Sequence, residues 1–107
     1  RKGPGWGPVI RIGSGGVAAE LLHDARLVPT GLSEEAIAAE IRGLKLAPLL
    51  DGFRGAPVAD IAAVARIVAA LGAVLDANPA IREVDLNPVV VYPKGEGAIA
   101  LDALISL

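Results

Sequence analysis

The stretch from Val58 to Ala77 constrains this chain more than any other part of it. It is built almost wholly of alanine, valine, leucine and isoleucine, and Arg66 is the only charge near its middle. Ile61, Val64, Val68, Leu71 and Leu75 recur on one helical face, and Ile67 and Val74 widen that stripe. Asn78-Pro79 stops the pattern, so a helix is expected over Val58–Ala77. A helix this poor in polar surface packs on two sides, and its second partner is expected from outside this chain. The run from Ile61 to Leu75 is too short to cross a bilayer.

The other elements follow from local signals. Arg1–Gly7 reads as a loop, and Pro8–Ile12 as a short apolar strand stopped by Gly13-Ser14-Gly15-Gly16. Val17–Leu22 and Ala25–Val28 read as two more strands hinged at His23-Asp24, although alanine also allows a helix for the first. Ser33 is a good N-cap, with Glu34 and Glu35 in the first turn and Ile37, Ile41 and Leu44 on one helical face, and Gly43 frays or ends that helix. Lys45–Gly55 reads as a short apolar turn. Glu83–Tyr92 and Ile99–Leu107 form a hairpin across Pro93-Lys94-Gly95-Glu96-Gly97. The expected fold is therefore α+β: an antiparallel or mixed sheet with packed helices and a C-terminal β-hairpin, in one domain over residues 1–107.

Composition narrows the function classes. A length of 107 residues with 53% hydrophobic content suits one globular domain with a real core. A net charge of −2 without a basic stripe argues against a nucleic-acid surface. The absence of cysteine excludes disulfides and thiolate metal sites. No signal peptide opens the chain, and a cytoplasmic protein without membrane attachment is the expectation. The chain has no methionine, so it is expected to be a processed or excised piece of a longer protein.

The hairpin carries the most suggestive chemistry. Side chains alternate along a strand, so Asp85 and Asn87 share one face while Val84 and Leu86 take the other. Asn87 and Asp102 lie equally far from a turn centred between Lys94 and Gly95. An unbulged hairpin sets them opposite each other, with Cβ atoms roughly 5 Å apart. Oxygen donors at that spacing suit a hard cation that keeps several waters and bridges to phosphate, as Mg²⁺ does. Pro88 cannot donate to a ladder and belongs where a strand meets an edge or a ligand. Spacing alone fits equally ordinary solvent-facing residues.

Two further features have bland and functional readings. Gly13-Ser14-Gly15-Gly16 offers backbone N–H groups to a phosphate, yet lacks the Lys-Ser/Thr ending of a P-loop and reads first as a tight turn. Arg54, between Phe53 and Gly55, suits a phosphate or a partner carboxylate, and a structural salt bridge is the commoner fate of such a residue.

Several of these segments together resemble a known family. Gly7-Pro8-Val9-Ile10, Gly13-Ser14-Gly15-Gly16-Val17 and Glu20-Leu21-Leu22-His23-Asp24 are similar to segments of the NDP-forming acyl-CoA synthetases. So are Leu49–Pro57, Val84-Asp85-Leu86-Asn87-Pro88-Val89-Val90-Val91 and Ala100-Leu101-Asp102-Ala103, in the family's order. These enzymes include the ADP-forming acetate–CoA ligases, with the succinyl-CoA synthetase β subunit as a more distant relative.

The resemblance implies the C-terminal lobe of an ATP-grasp domain, which binds ATP between two α+β lobes. It assigns Asn87 and Asp102 to Mg²⁺, Asp85 to a supporting position, and Glu20 to the nucleotide cleft, where Gly15, Gly16 and Arg54 are further candidates. It implies phosphoryl transfer between ATP and a histidine on a partner domain, coupled to acid–CoA ligation. The N-terminal lobe with its phosphate-binding lysine does not occur in this chain. The only histidine, His23, stands where relatives keep none. The chain alone is thus expected to lack catalysis. Its expected partners are the N-terminal lobe and the CoA-binding and phosphohistidine domains, with homo-oligomers allowed. The competing readings are a non-catalytic nucleotide-binding or regulatory module, such as one fused to an acetyltransferase, and an interaction domain that uses the helix's alanine-rich face.

Overall fold

The computed structural model describes residues 8–13, 24–45, 47–86, 88–101 and 103–106. Strand β1 (Val9–Gly13) pairs antiparallel with β2 (Ala25–Pro29), setting Ile10 against Val28 and Arg11 against Leu27. The two apolar partners Ile10 and Val28 are buried on one face, while Arg11 and Leu27 face solvent. The strand expected at Val17–Leu22 lies outside the described residues.

Helix α1 (Glu34–Arg42) begins as its sequence predicts. The Ser33 hydroxyl accepts from the Ala36 N–H at 3.1 Å, and Glu34 and Glu35 occupy the positive end of the helix dipole. Gly43 closes it, donating to the Glu40 carbonyl. The expected turn over Lys45–Gly55 holds more structure than that. It contains the short helix α2 (Ala47–Leu50) and a 3-10 turn (Phe53–Gly55) in which Arg54 takes a left-handed backbone.

Helix α3 (Ile61–Ala77) starts three residues later than the apolar pattern suggests. Val58 and Ala59 remain extended, bridged to Asp51 and Pro93, and Asp60 is the cap. Its buried face includes Ile61, Val68 and Leu75 of the expected stripe, together with Ala65 and Gly72, while Val64 and Leu71 pack half-buried against the core. Val74 is exposed rather than part of the core. Ala62, Ala70 and Ala73 also face solvent, whereas Ala69 packs against the core, so the exposed alanine face is narrower than composition suggests.

The core joins Ile10 and Val28 to Ile37, Ala38 and Ile41 of α1 and to Ile61, Ala65, Val68 and Leu75 of α3. Each large side chain buried there contributes roughly 1.5–3 kcal/mol relative to exposure. A side-chain bond from the Thr30 hydroxyl to Asp76 ties the end of β2 to the end of α3.

The C-terminal hairpin consists of β3 (Glu83–Leu86), β4 (Val89–Val91), β5 (Ala98–Ala100) and β6 (Ala103–Ser106). Strand β4 pairs with β5 and β3 with β6, both antiparallel. The three ladders among the described residues are two-stranded and antiparallel, the first of the two sheet types expected. Val89↔Ala100 and Leu86↔Ala103 share one register, the one expected for a turn centred between Lys94 and Gly95. Between them the Leu101 N–H donates to the Pro88 carbonyl at 3.0 Å; proline, having no N–H, cannot return the bond.

Candidate functional site

Along β3 the face predicted to be polar is the exposed one. Glu83 and Asp85 are exposed and Val84 and Leu86 half-buried, which is the alternation a half-solvated strand requires. Asp85 faces Leu104 across the ladder. Asn87 and Asp102 lie outside the described residues, as do Gly15, Gly16, Glu20 and His23. Arg54 is exposed in the loop before α3, where φ 53° places its backbone in the left-handed region. It lies on a different element from Asp85. Among the described residues, no group of three or more His, Asp or Glu could hold a metal ion.

A residue that the sequence reading passed over organises the other end of the hairpin. Asp60 is a buried carboxylate, 6% exposed, and both of its oxygens are used. Oδ1 accepts from the Ala63 N–H at 3.1 Å, capping α3. Oδ2 accepts from the N–H groups of Gly95 at 3.1 Å and Gly97 at 2.9 Å, in the hairpin turn. Main-chain bonds run alongside: Lys94 N–H to the Val58 carbonyl at 2.7 Å, and Asp60 N–H to the Tyr92 carbonyl at 2.8 Å.

The turn can present its amides this way because Gly95 and Gly97 have φ of 88° and 91°, a region that side chains penalise. The Gly97 and Ala63 N–H groups hold the Asp60 carboxyl below the usual carboxylate range, with smaller help from Gly95 and Arg66, against the opposing effect of burial. The carboxylate is charged at neutral pH, and its charge is spent on the protein's own backbone. An aspartate directly before an apolar helical run was a legible cap signal. Its second role links positions far apart in sequence and leaves no local trace.

An open cleft of about 550 Å³ lies beside this anchor. Arg42, Arg66 and Lys94 line it, as do the carboxylates Asp51, Asp60 and Glu96. With three charges of each sign, the cleft gives no net preference for an anion. Arg54 and Asp85 are not among its walls. No described helix is long and apolar enough to cross a membrane.

Comparison with known proteins adds what local geometry leaves open. The family model of the ATP-grasp domain matches residues 1–107. The chain is 48% identical over 105 residues to the trans-feruloyl-CoA synthase FCS1 of an unknown prokaryotic organism, covering 98% of this chain and 15% of that protein. It is 39% identical over 107 residues to the β subunit of the ADP-forming acetate–CoA ligase II of Pyrococcus furiosus, covering 97% of this chain and 44% of the subunit.

Its fold matches a dinucleotide-forming acetyl-coenzyme A synthetase of Candidatus Korarchaeum cryptofilum with a TM-score of 0.88 at 39% identity, over 98% of this chain and 48% of that one. That structure holds coenzyme A and Mg-AMPPCP, with its phosphohistidine segment pointing towards the nucleotide-binding site. The chain thus spans less than half the length of these relatives, and it belongs to the ATP-grasp domain family, in the branch found in ADP-forming acyl-CoA synthetases.

Proposed function

We propose that this chain supplies the C-terminal lobe of the ATP-grasp domain in an NDP-forming acyl-CoA synthetase, and that its hairpin holds the magnesium of the bound nucleotide. The observation that carries this reading is the likeness, over 98% of the chain, to a synthetase solved with Mg-AMPPCP and coenzyme A.

The hairpin's register supports the choice of residues. The described pairs on either side share one register, in which Asn87 would fall opposite Asp102 on the face that exposes Asp85. The Leu101–Pro88 bond makes its own pair a hydrogen-bonded one, so the neighbouring pair would be of the close, non-hydrogen-bonded kind. An amide oxygen and a carboxylate at that separation are the hard donors Mg²⁺ takes, leaving positions for water and phosphate. Asp85 would orient them or their waters. Glu20, Gly15, Gly16 and Arg54 would face the nucleotide. Magnesium, when bound, would neutralise phosphate charge.

Phosphoryl transfer between ATP and a histidine would then need the other lobe and the phosphohistidine domain, so activity belongs to the intact protein. None of the relatives named above is described as an acetyltransferase, and no observation favours that fusion. In the intact protein, Asn87→Ala and Asp102→Ala should each weaken magnesium-dependent ATP binding by at least the roughly 10–100-fold that loss of a supporting group costs. Calorimetric titrations with and without Mg²⁺ measure this. Unchanged affinity in both folded variants would reject the site.

A further inference from the structure

Asp60 is one carboxylate joined to two separate elements, the first turn of α3 and the turn of the hairpin. The magnesium reading of the hairpin gives that junction a purpose, and the inference below rests on that reading. We infer that Asp60 is a positioning residue for magnesium–nucleotide binding: by fixing the hairpin's tip to α3, it sets where the hairpin's polar face stands.

The geometry makes the anchor consequential. The hairpin is a two-stranded ribbon, a form that is marginally stable by itself. Near its open end, Ile81 and Val84 pack against the core. Ile99, Leu101, Leu104 and Ile105 are exposed, while Val89–Val91 of β4 are half-buried, so apolar packing along the ribbon is partial. At the tip, the three-residue segment Val58–Asp60 is bonded on one side to Leu50 and Asp51 and on the other to Tyr92, Pro93 and Lys94. The Asp60 side chain adds two more bonds between that segment and the turn, accepting from the Gly95 and Gly97 N–H groups.

The hairpin is thus held by core packing beside Glu83 and Asp85, by half-buried β4, and by directional bonds at its tip. Asp85 is about 30 Å along the strand from Lys94 at roughly 3.3 Å per residue. A tip free to swing by about 2 Å would carry the middle of the ribbon by about half as much, and misplacement of about 1 Å can cost on the order of 100-fold in function. The carboxylate is suited to the task because its two oxygens take three N–H groups at once, which a neutral amide cannot do.

The test uses the intact protein and two variants. Asp60→Asn keeps the shape and removes the charge and one acceptor. Asp60→Ser keeps a helix cap, as Ser33 caps α1 through the Ala36 N–H, but has a single oxygen that cannot also reach the turn. Nucleotide affinity is titrated with and without Mg²⁺ for both variants and for Asn87→Ala, with thermal unfolding as the control for folding.

The expected result is about a tenfold loss of magnesium-dependent affinity in Asp60→Ser, a smaller loss in Asp60→Asn, and unchanged magnesium-free affinity. Asn87→Ala shows the larger loss. Several results overturn the inference. One is full magnesium-dependent affinity in folded Asp60→Ser while Asn87→Ala loses it, which spares the metal site. Others are equal losses with and without magnesium, or unfolding of both variants, which would make Asp60 a residue of stability alone. No effect of magnesium on Asn87→Ala relative to the unaltered protein rejects the metal reading itself, and this inference with it.

Discussion

The two halves of the chain are held together by different physics. The β1–β2 pair, α1 and α3 meet through aliphatic side chains: Leu75 is 1% exposed and Ala65 fully buried. The hairpin leaves Leu101 at 60% and Leu104 at 66% exposure, and its tip is held by directional bonds to Val58 and Asp60. Apolar burial is insensitive to direction and tolerates small shifts; hydrogen bonds to a single carboxylate fix a direction and depend on its charge. In this chain the region with the candidate magnesium ligands is the one held at its tip by the directional set.

The largest effect should come from the packed half. Leu75→Ala removes a fully buried side chain of the shared core and should cost about 2–5 kcal/mol in urea unfolding. A cost below about 1 kcal/mol would mean the core is looser than its burial indicates.

The hairpin half should respond to acid instead. The Asp60 carboxyl is held below its ordinary range in the folded chain, so protons bind it more tightly once unfolded. Its contribution is complete above the unfolded value and fades as pH falls through the lower folded value, in the range below about pH 4. The gap in Tm between the unaltered chain and Asp60→Asn should therefore narrow from pH 7 to about pH 3. A gap that widened would contradict the ionised clamp.

The smallest effect sharpens the comparison from the other side. Gly72 lies within α3, and a Cβ there would meet Thr30 at 3.4 Å and Ile10 at 3.5 Å, ordinary contact distances. Gly72→Ala should therefore stabilise by up to about 1 kcal/mol through helix propensity, provided the packed half is as tolerant as described. A loss would show that α3 and the sheet are closer than those distances allow.

Much of this was legible in the sequence because the signals were local. The Ser33 cap, the apolar stripe of α3 and the hairpin register each depend on a few residues within one or two turns or strands. The start of α3 lies later than the apolar pattern predicts because Val58 and Ala59 are as apolar as the helix, while bridges to Asp51 and Pro93 hold them extended. The clamp was invisible because Asp60 and the turn glycines meet only in the fold. For Asn87 and Asp102, alternation indicated a face, while the kind of ion came from the family resemblance.

The most direct measurement is a crystal structure of the intact protein with Mg-AMPPCP. The account predicts Mg²⁺ about 2.0–2.1 Å from an oxygen of Asn87 and one of Asp102, with phosphate and water completing an octahedron. A magnesium ion bound to the nucleotide but touching neither residue would contradict it.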